Sequence, residues 1–198
     1  MVPSAEAADL VAALMQARQT VLPKRLGAPG PDAQQLHAIV AAAAHAPDHG
    51  QILPWRLVLV PQAQRARLAD VFAAALLERD AAALPEQVEQ ARDKAYRAPV
   101  LLLAVVDGQR GDPAVGLNER ILSAGCAVQN LLLMATALGF GSALTSGKAL
   151  TSSGLRALFG LHGGEQALCF ISLGTVLSRK AARVRPGPAD YLTSLGAP

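Results

Sequence analysis

The sequence predicts an α/β or α+β sandwich built on a partly buried sheet, with about three or four strands interleaved with roughly six helices. Three observations lead there. The 198 residues are 52% hydrophobic and only 17% charged, which is the balance of a compact domain and not of a disordered chain. Pro99 to Val106 is a continuous apolar run of the length and type of a strand buried on both faces. Around it, segments with apolar residues at helical spacing alternate with Gly- and Pro-rich turns. A chain of this length buries roughly 70% of its surface around one core, so one domain is expected.

From the N-terminus, Leu10, Val11 and Leu14 repeat at helical spacing over residues 5–17 and deliver the chain to Arg18-Gln19-Thr20. After the turn-rich stretch Pro23 to Pro31, Asp32 is a good N-cap for a helix whose Leu36, Ile39, Val40 and Ala43 form one face. Pro47 stops that helix by Ala46, and Pro47 and Pro54 bracket a polar loop that carries His49 and leads into Trp55, the chain's single tryptophan. Trp55 to Val60 reads as a strand, 63–79 and 85–97 as helices, and Asp107 to Pro113 as a mobile polar connection. A long helix is expected from Leu117 to Leu138, stopped by Gly139. The short segment Ser142 to Gly147 then precedes a helix capped by Thr151 or Ser152, and Ala167 to Thr175 is the last strand.

Composition narrows the function classes. The net charge of +3 is mild, and Lys and Arg are scattered except for Arg179, Lys180, Arg183 and Arg185, a solvated tail or a local anion site. No nucleic-acid face is expected. Cys126 and Cys169 lie in apolar runs without paired spacing and read as buried free thiols. Such thiols imply a reducing compartment, and with no basic segment ahead of an N-terminal hydrophobic run no secretory signal and a cytoplasmic setting are expected. Ile121 to Gly147 carries no charge and is long enough for a bilayer, but Ser123, Gln129, Asn130, Thr136 and Ser142 interrupt it, as do Gly139 and Gly141. It reads as a buried central or dimer-core helix, and no membrane span is expected.

Several residues carry candidate chemistry. Arg18, Gln19 and Thr20 could converge a guanidinium fork, a backbone N–H and a hydroxyl on a phosphate, or simply form an exposed helix end where Arg suits the dipole. His45 and His49 stand four apart, but Pro47 breaks the helical register between them and no HExxH pattern is present, so a metal pair is not expected. His45 as a helix C-cap and His49 as a loop donor to a ligand oxygen are the better assignments. No GxSxG motif occurs, and Cys126 has no adjacent base. Gly139-Phe140-Gly141-Ser142 lacks both the GxGxxG pattern and a P-loop lysine, and follows a helix, so it reads as a helix stop and a tight turn.

Taken in order, Arg18-Gln19-Thr20, Ala46-Pro47-Asp48-His49 to Pro54-Trp55, Glu119 with Ser123 to Asn130, Leu138-Gly139-Phe140-Gly141, and the Leu173-Gly174-Thr175 ending resemble the FMN-dependent nitroreductase family, and specifically its small single-domain branch. The resemblance covers about residues 8–190, leaving 1–7 and 191–198 as tails. It implies an α+β fold, an α/β sandwich with a central, mostly antiparallel sheet flanked by helices, in an interleaved homodimer with FMN at the subunit interface. By the same resemblance, Arg18, Gln19 and Thr20 match the segment that holds the FMN phosphate and ribityl chain. His45 and His49 match positions flanking the Ala-Pro element against the flavin. Leu144, Thr145 and Ser146 match a segment of the FMN site that in this branch usually reads Trp, then Arg or Lys, then Ser or Thr; here the aromatic and the cation are replaced. Lys180 or Arg183 would complete the phosphate site. The implied activity is NAD(P)H-dependent reduction of a flat small-molecule acceptor such as a quinone or nitroaromatic by a ping-pong hydride mechanism, with no dedicated catalytic side chain and no metal. A flavin-binding carrier or sensor with little turnover is the alternative.

Overall fold

A computed structural model describes residues 4–181 and 184–196. Six α-helices and five strands are found among them: α1 (Ala5–Ala17), β1 (Leu26–Gly27), α2 (Ala33–Ala41), β2 (Trp55–Leu59), α3 (Arg65–Arg79), α4 (Pro85–Asp93), β3 (Val100–Asp107), α5 (Leu117–Ala137), β4 (Gly141–Thr145), α6 (Ser153–Leu158) and β5 (Glu165–Val176). The expected caps are in place. Asp32 Oδ1 accepts from Gln35 N at 2.8 Å while Gln35 Oε1 accepts from Asp32 N, closing a capping box on α2. Of the two candidate caps for α6, Ser152 holds the position, its Oγ accepting from Leu155 N. Gly139 ends α5 at φ +85°.

All strand pairs are antiparallel, in the order β2, β3, β5, with β1 and β4 also on β5. β3 is flanked on both edges, by β2 from Trp55 opposite Val106 and by β5 from Val100 opposite Leu173, so its continuous apolar run reflects burial on both faces. Alternation along it feeds two cores. Leu101, Leu103 and Val105, with Phe170 of β5, pack against Leu68 and Ala69 of α3 and Leu155 of α6. Leu102 and Ala104, with Ile171 and Leu173, pack against Ile39 of α2 and Val128, Leu131, Leu132 and Ala135 of α5. The result is a three-layer α/β/α sandwich with an antiparallel middle layer.

Four expectations need correction. The two-residue strand β1 and the pairing of β4 raise the strand count to five. Helical continuations at 42–45 and 94–96 are 3₁₀ turns, tightened where α2 and α4 end. The polar connection after β3 is held in place by Arg120 of α5. That side chain is almost wholly buried and donates to the carbonyls of Val115 at 2.8 Å, Asp107 at 3.2 Å, Arg110 and Asp112 at 2.7 Å. Finally, Cys126 and Cys169 are free but only half-buried. Desolvation pushes the Cys169 thiol up to about 11.

α5 is the one described helix that has the length and composition to cross a membrane. One face of it is spent on the sheet, while Ile121 and Leu122 on another remain exposed, Leu122 at 69%.

Candidate functional site

The chain leaving α1 becomes an extra edge of the sheet. Arg18 is the extended C-cap of α1, Thr20 bridges Ser142 in parallel, and Val21 N donates to Ser142 O at 2.9 Å. Close approach is possible because β4 begins with glycine: a Cβ on Gly141 would stand 2.6 Å from Val176 Cγ2 and 2.7 Å from Leu26 Cδ2. This edge forms one wall of a cleft of about 590 Å³ lined by Arg18, Gln19, Thr20 and Arg25, with Arg179, Lys180 and Arg185 opposite. Arg185 Nη2 donates to Arg18 O at 2.9 Å, tying the C-terminal segment to the end of α1. Among the described residues that line the cleft there is no acidic side chain, and the five cations give it a positive bias. Arg183 lies outside the described residues.

The sequence-predicted segment Leu144 to Ser146 lies at the other end of β4. Leu144 pairs with Ile171 and is exposed, whereas Thr145 pairs with Phe170. Thr145 and Ser146 line a second cleft of about 460 Å³ between β4 and the α3–α4 layer. The two clefts meet the same short connection, Leu22 lining the first and Pro23 the second.

Neither cleft is lined by His45 or His49. His45 ends the 3₁₀ turn Ala42–His45, which packs on α5. His49 lies in the Pro-bracketed loop, where its Nδ1–H donates to Glu119 Oε2 at 2.7 Å. Hydrogen bonding and charge from Glu119 raise the imidazole above its ordinary value, and the His49 hydrogen bond holds the Glu119 carboxyl below its own. The loop is strained: Gln51 at φ 52° and Leu53 at φ 46° are non-glycine residues in the left-handed region. Asp48 helps fix it, Oδ2 accepting from Leu53 N at 2.8 Å while the buried Oδ1 has no partner among the described residues. Two contacts anchor it from below. Trp55 Nε1 donates to Ser123 Oγ at 3.1 Å, and Gly111 sits so close to Ile52 that a Cβ there would clash at 2.6 Å.

Sequence reasoning missed the arginines that organise the loops. Besides Arg120, buried Arg65 donates to Val60 O at 3.0 Å and to Ala95 O, and burial lowers its pKa. Arg56 on β2 forms a two-pronged pair with buried Glu165 on β5, at 2.5 and 2.9 Å, which holds the Glu165 carboxyl low. In sequence Arg56 is a lone cation between Trp55 and Leu57, Arg65 stands two residues from Arg67 and Arg120 follows Glu119, and none of these settings marks the carbonyls or the carboxylate that each side chain serves.

Comparison with known proteins places the chain in a family. Residues 16–175 match the model of the nitroreductase family. A Haemophilus influenzae protein named "Putative NAD(P)H nitroreductase" is 33% identical over 176 residues, covering 87% of this chain and 93% of the relative. The Escherichia coli K12 protein YdjA, of the same designation, is 32% identical over 173 residues, covering 85% and 91%. Among solved structures, a nitroreductase-like family protein from Bacillus cereus superposes with a TM-score of 0.78 at 17% identity, covering 98% of this chain and 97% of the other. The FMN-dependent nitroreductase NfnB of Mycobacterium smegmatis, in complex with NADPH, gives 0.74 at 17% identity, covering 94% and 98%. The chain belongs to the nitroreductase family.

Proposed function

We propose that the protein is an FMN-dependent NAD(P)H oxidoreductase that reduces flat acceptors such as quinones or nitroaromatics, and that residues 8–190 form its single flavin-binding unit. The observation that carries this reading is the cleft at the end of α1, which brings together Arg18, Arg25, Arg179, Lys180 and Arg185 with Gln19 and Thr20 and, among the described residues, no acidic side chain. Such a cleft fits a phosphate monoester: guanidinium forks suit phosphate oxygens, and the Thr20 hydroxyl can serve a sugar-alcohol oxygen. Bound FMN would supply the hydride exchange between nicotinamide and acceptor. Arg18 and Lys180 would hold the phosphate, with Gln19 and Thr20 along the adjoining chain. Leu144, Thr145 and Ser146 would border the ring at the far end of β4. By the sequence resemblance alone, Arg183, which lies outside the described residues, would be a further phosphate partner.

His45 and His49 would then act across a dimer interface, presented to the flavin of a second subunit. Exposed apolar side chains support a homodimer: Leu10, Val11 and Met15 on α1, Ile121 and Leu122 on α5, and Leu192 near the C-terminus. Glu119 fixes the His49 ring and favours its protonated form, which suits donation to a ligand oxygen. The relatives' names support the nicotinamide donor and the flavin.

The test is a fluorescence-quenching titration of apoprotein with FMN. One hydrogen bond to a charged group contributes about 1.5–3 kcal/mol, so Arg18→Ala is expected to weaken FMN binding roughly ten- to a hundredfold. Arg18→Lys should recover only part of the loss, because an ammonium lacks the planar fork. Unchanged affinity in a folded Arg18→Ala protein would refute this assignment of the phosphate.

A further inference from the structure

We propose that Arg79 and Lys148 together supply, from outside β4, the positive charge that the Leu144-Thr145 segment lacks, and that they stabilise the negative charge a bound flavin gains on reduction. This rests on the flavin reading above. The two side chains come from different elements: Arg79 from the last turn of α3, Lys148 from the 3₁₀ turn Lys148–Thr151. They nevertheless flank the same backbone. Both line the cleft of Thr145 and Ser146, and both also line the adjoining groove with Ser146 and Gly147.

Neither cation has a side-chain hydrogen bond or ion pair among the described residues. Lys94 and Arg97 add to the same wall; among the described residues no acidic side chain lines the cleft, and Glu78 lines the adjoining groove. A cluster of exposed cations of one sign attracts an anion to the cleft they line. The interior suits a planar ring more than a hydrated ion, because Phe72, Leu76 and Phe170 line it together with the hydroxyls of Thr145 and Ser172.

The redox step defines which charge is stabilised. Hydride transfer breaks the nicotinamide C–H bond and forms an N–H bond on the flavin; NAD(P)H leaves as NAD(P)⁺, and the flavin gains two electrons and one proton, hence one negative charge. A cation roughly 10 Å away in partly solvated protein favours the charged form by about tenfold. In a two-electron equilibrium tenfold corresponds to about 30 mV.

The experiment uses FMN-loaded protein and two readouts independent of turnover: the dissociation constant of sulfite from the bound oxidised flavin, and the midpoint potential by dye equilibration. Arg79→Gln and Lys148→Gln are each expected to weaken sulfite binding by about tenfold and to lower the potential by about 30 mV, and the double variant by roughly the product and the sum. The charge-conserving pair Arg79→Lys and Lys148→Arg should keep wild-type values. A double Gln variant that binds FMN yet matches wild type in both readouts overturns the inference, and so does equal loss in the charge-conserving pair, which would mark a packing effect. Wild-type protein that takes up no FMN overturns the flavin reading itself, and this inference with it.

Discussion

Replacing Arg120 with Met keeps the buried stem and removes the guanidinium that organises the β3–α5 connection. The four carbonyls it serves do not lose equally. Arg110 and Asp112 are exposed, so their carbonyls regain water, whereas Val115 is buried and Asp107 half-buried at the end of β3. Stranding a buried acceptor costs about 1–3 kcal/mol, so two partly compensated ones lead to a loss of about 2–4 kcal/mol. For a domain of this size that lowers Tm by about 4–16 °C. Thermal unfolding followed by circular dichroism reads the loss, and hydrogen exchange should quicken across 108–116. Through Gly111 and Ile52 the loosening should reach the His49 loop. A folded Arg120→Met protein destabilised by less than about 1 kcal/mol, with unchanged exchange in this segment, would refute the reasoning.

Two further outcomes follow from the titrating groups. The raised His49 contributes stability at pH below its ordinary 6.5 that is lost as pH rises through its folded value, and the lowered Glu119 contributes stability above 4.5 that is lost as pH falls through its own, so the pair is intact between the two folded values. In Glu119→Gln the His49 midpoint, followed by NMR, should fall towards its ordinary value; no movement would deny the coupling. With its thiol at about 11, Cys169 should resist iodoacetamide at neutral pH in the folded protein and react only after denaturation, as read by mass spectrometry; rapid native labelling would contradict its desolvation.

Local rules made much of the fold legible. The run Pro99–Val106 reads as a doubly buried strand because β3 has a neighbour on each edge and a core on each face. Asp32, Ser152 and Gly139 mark helix ends because capping depends on residues a few positions apart. What depended on distant partners was hidden. Asp107 to Pro113 has the composition of a mobile link, yet Arg120, further along the chain, holds its carbonyls. The segment at 142–147 becomes strand β4 only because β5 offers an edge to Gly141–Thr145. Arg18 and the C-terminal cations were each visible in the sequence, but their convergence depends on the Thr20–Ser142 bridge and the Arg185 contact. Arg79 and Lys148 showed no signal beyond an exposed cation, since only the packing of α3 over the end of β4 brings them to one cleft.

The most direct test of the central claim is the absorbance spectrum of protein purified without added flavin, followed anaerobically on adding NADH or NADPH. The account predicts a yellow protein with a flavin band that NADH or NADPH bleaches, and that releases FMN and not FAD on denaturation. Light scattering of the same sample should give a dimer mass. A colourless protein whose thermal stability FMN does not raise would contradict it.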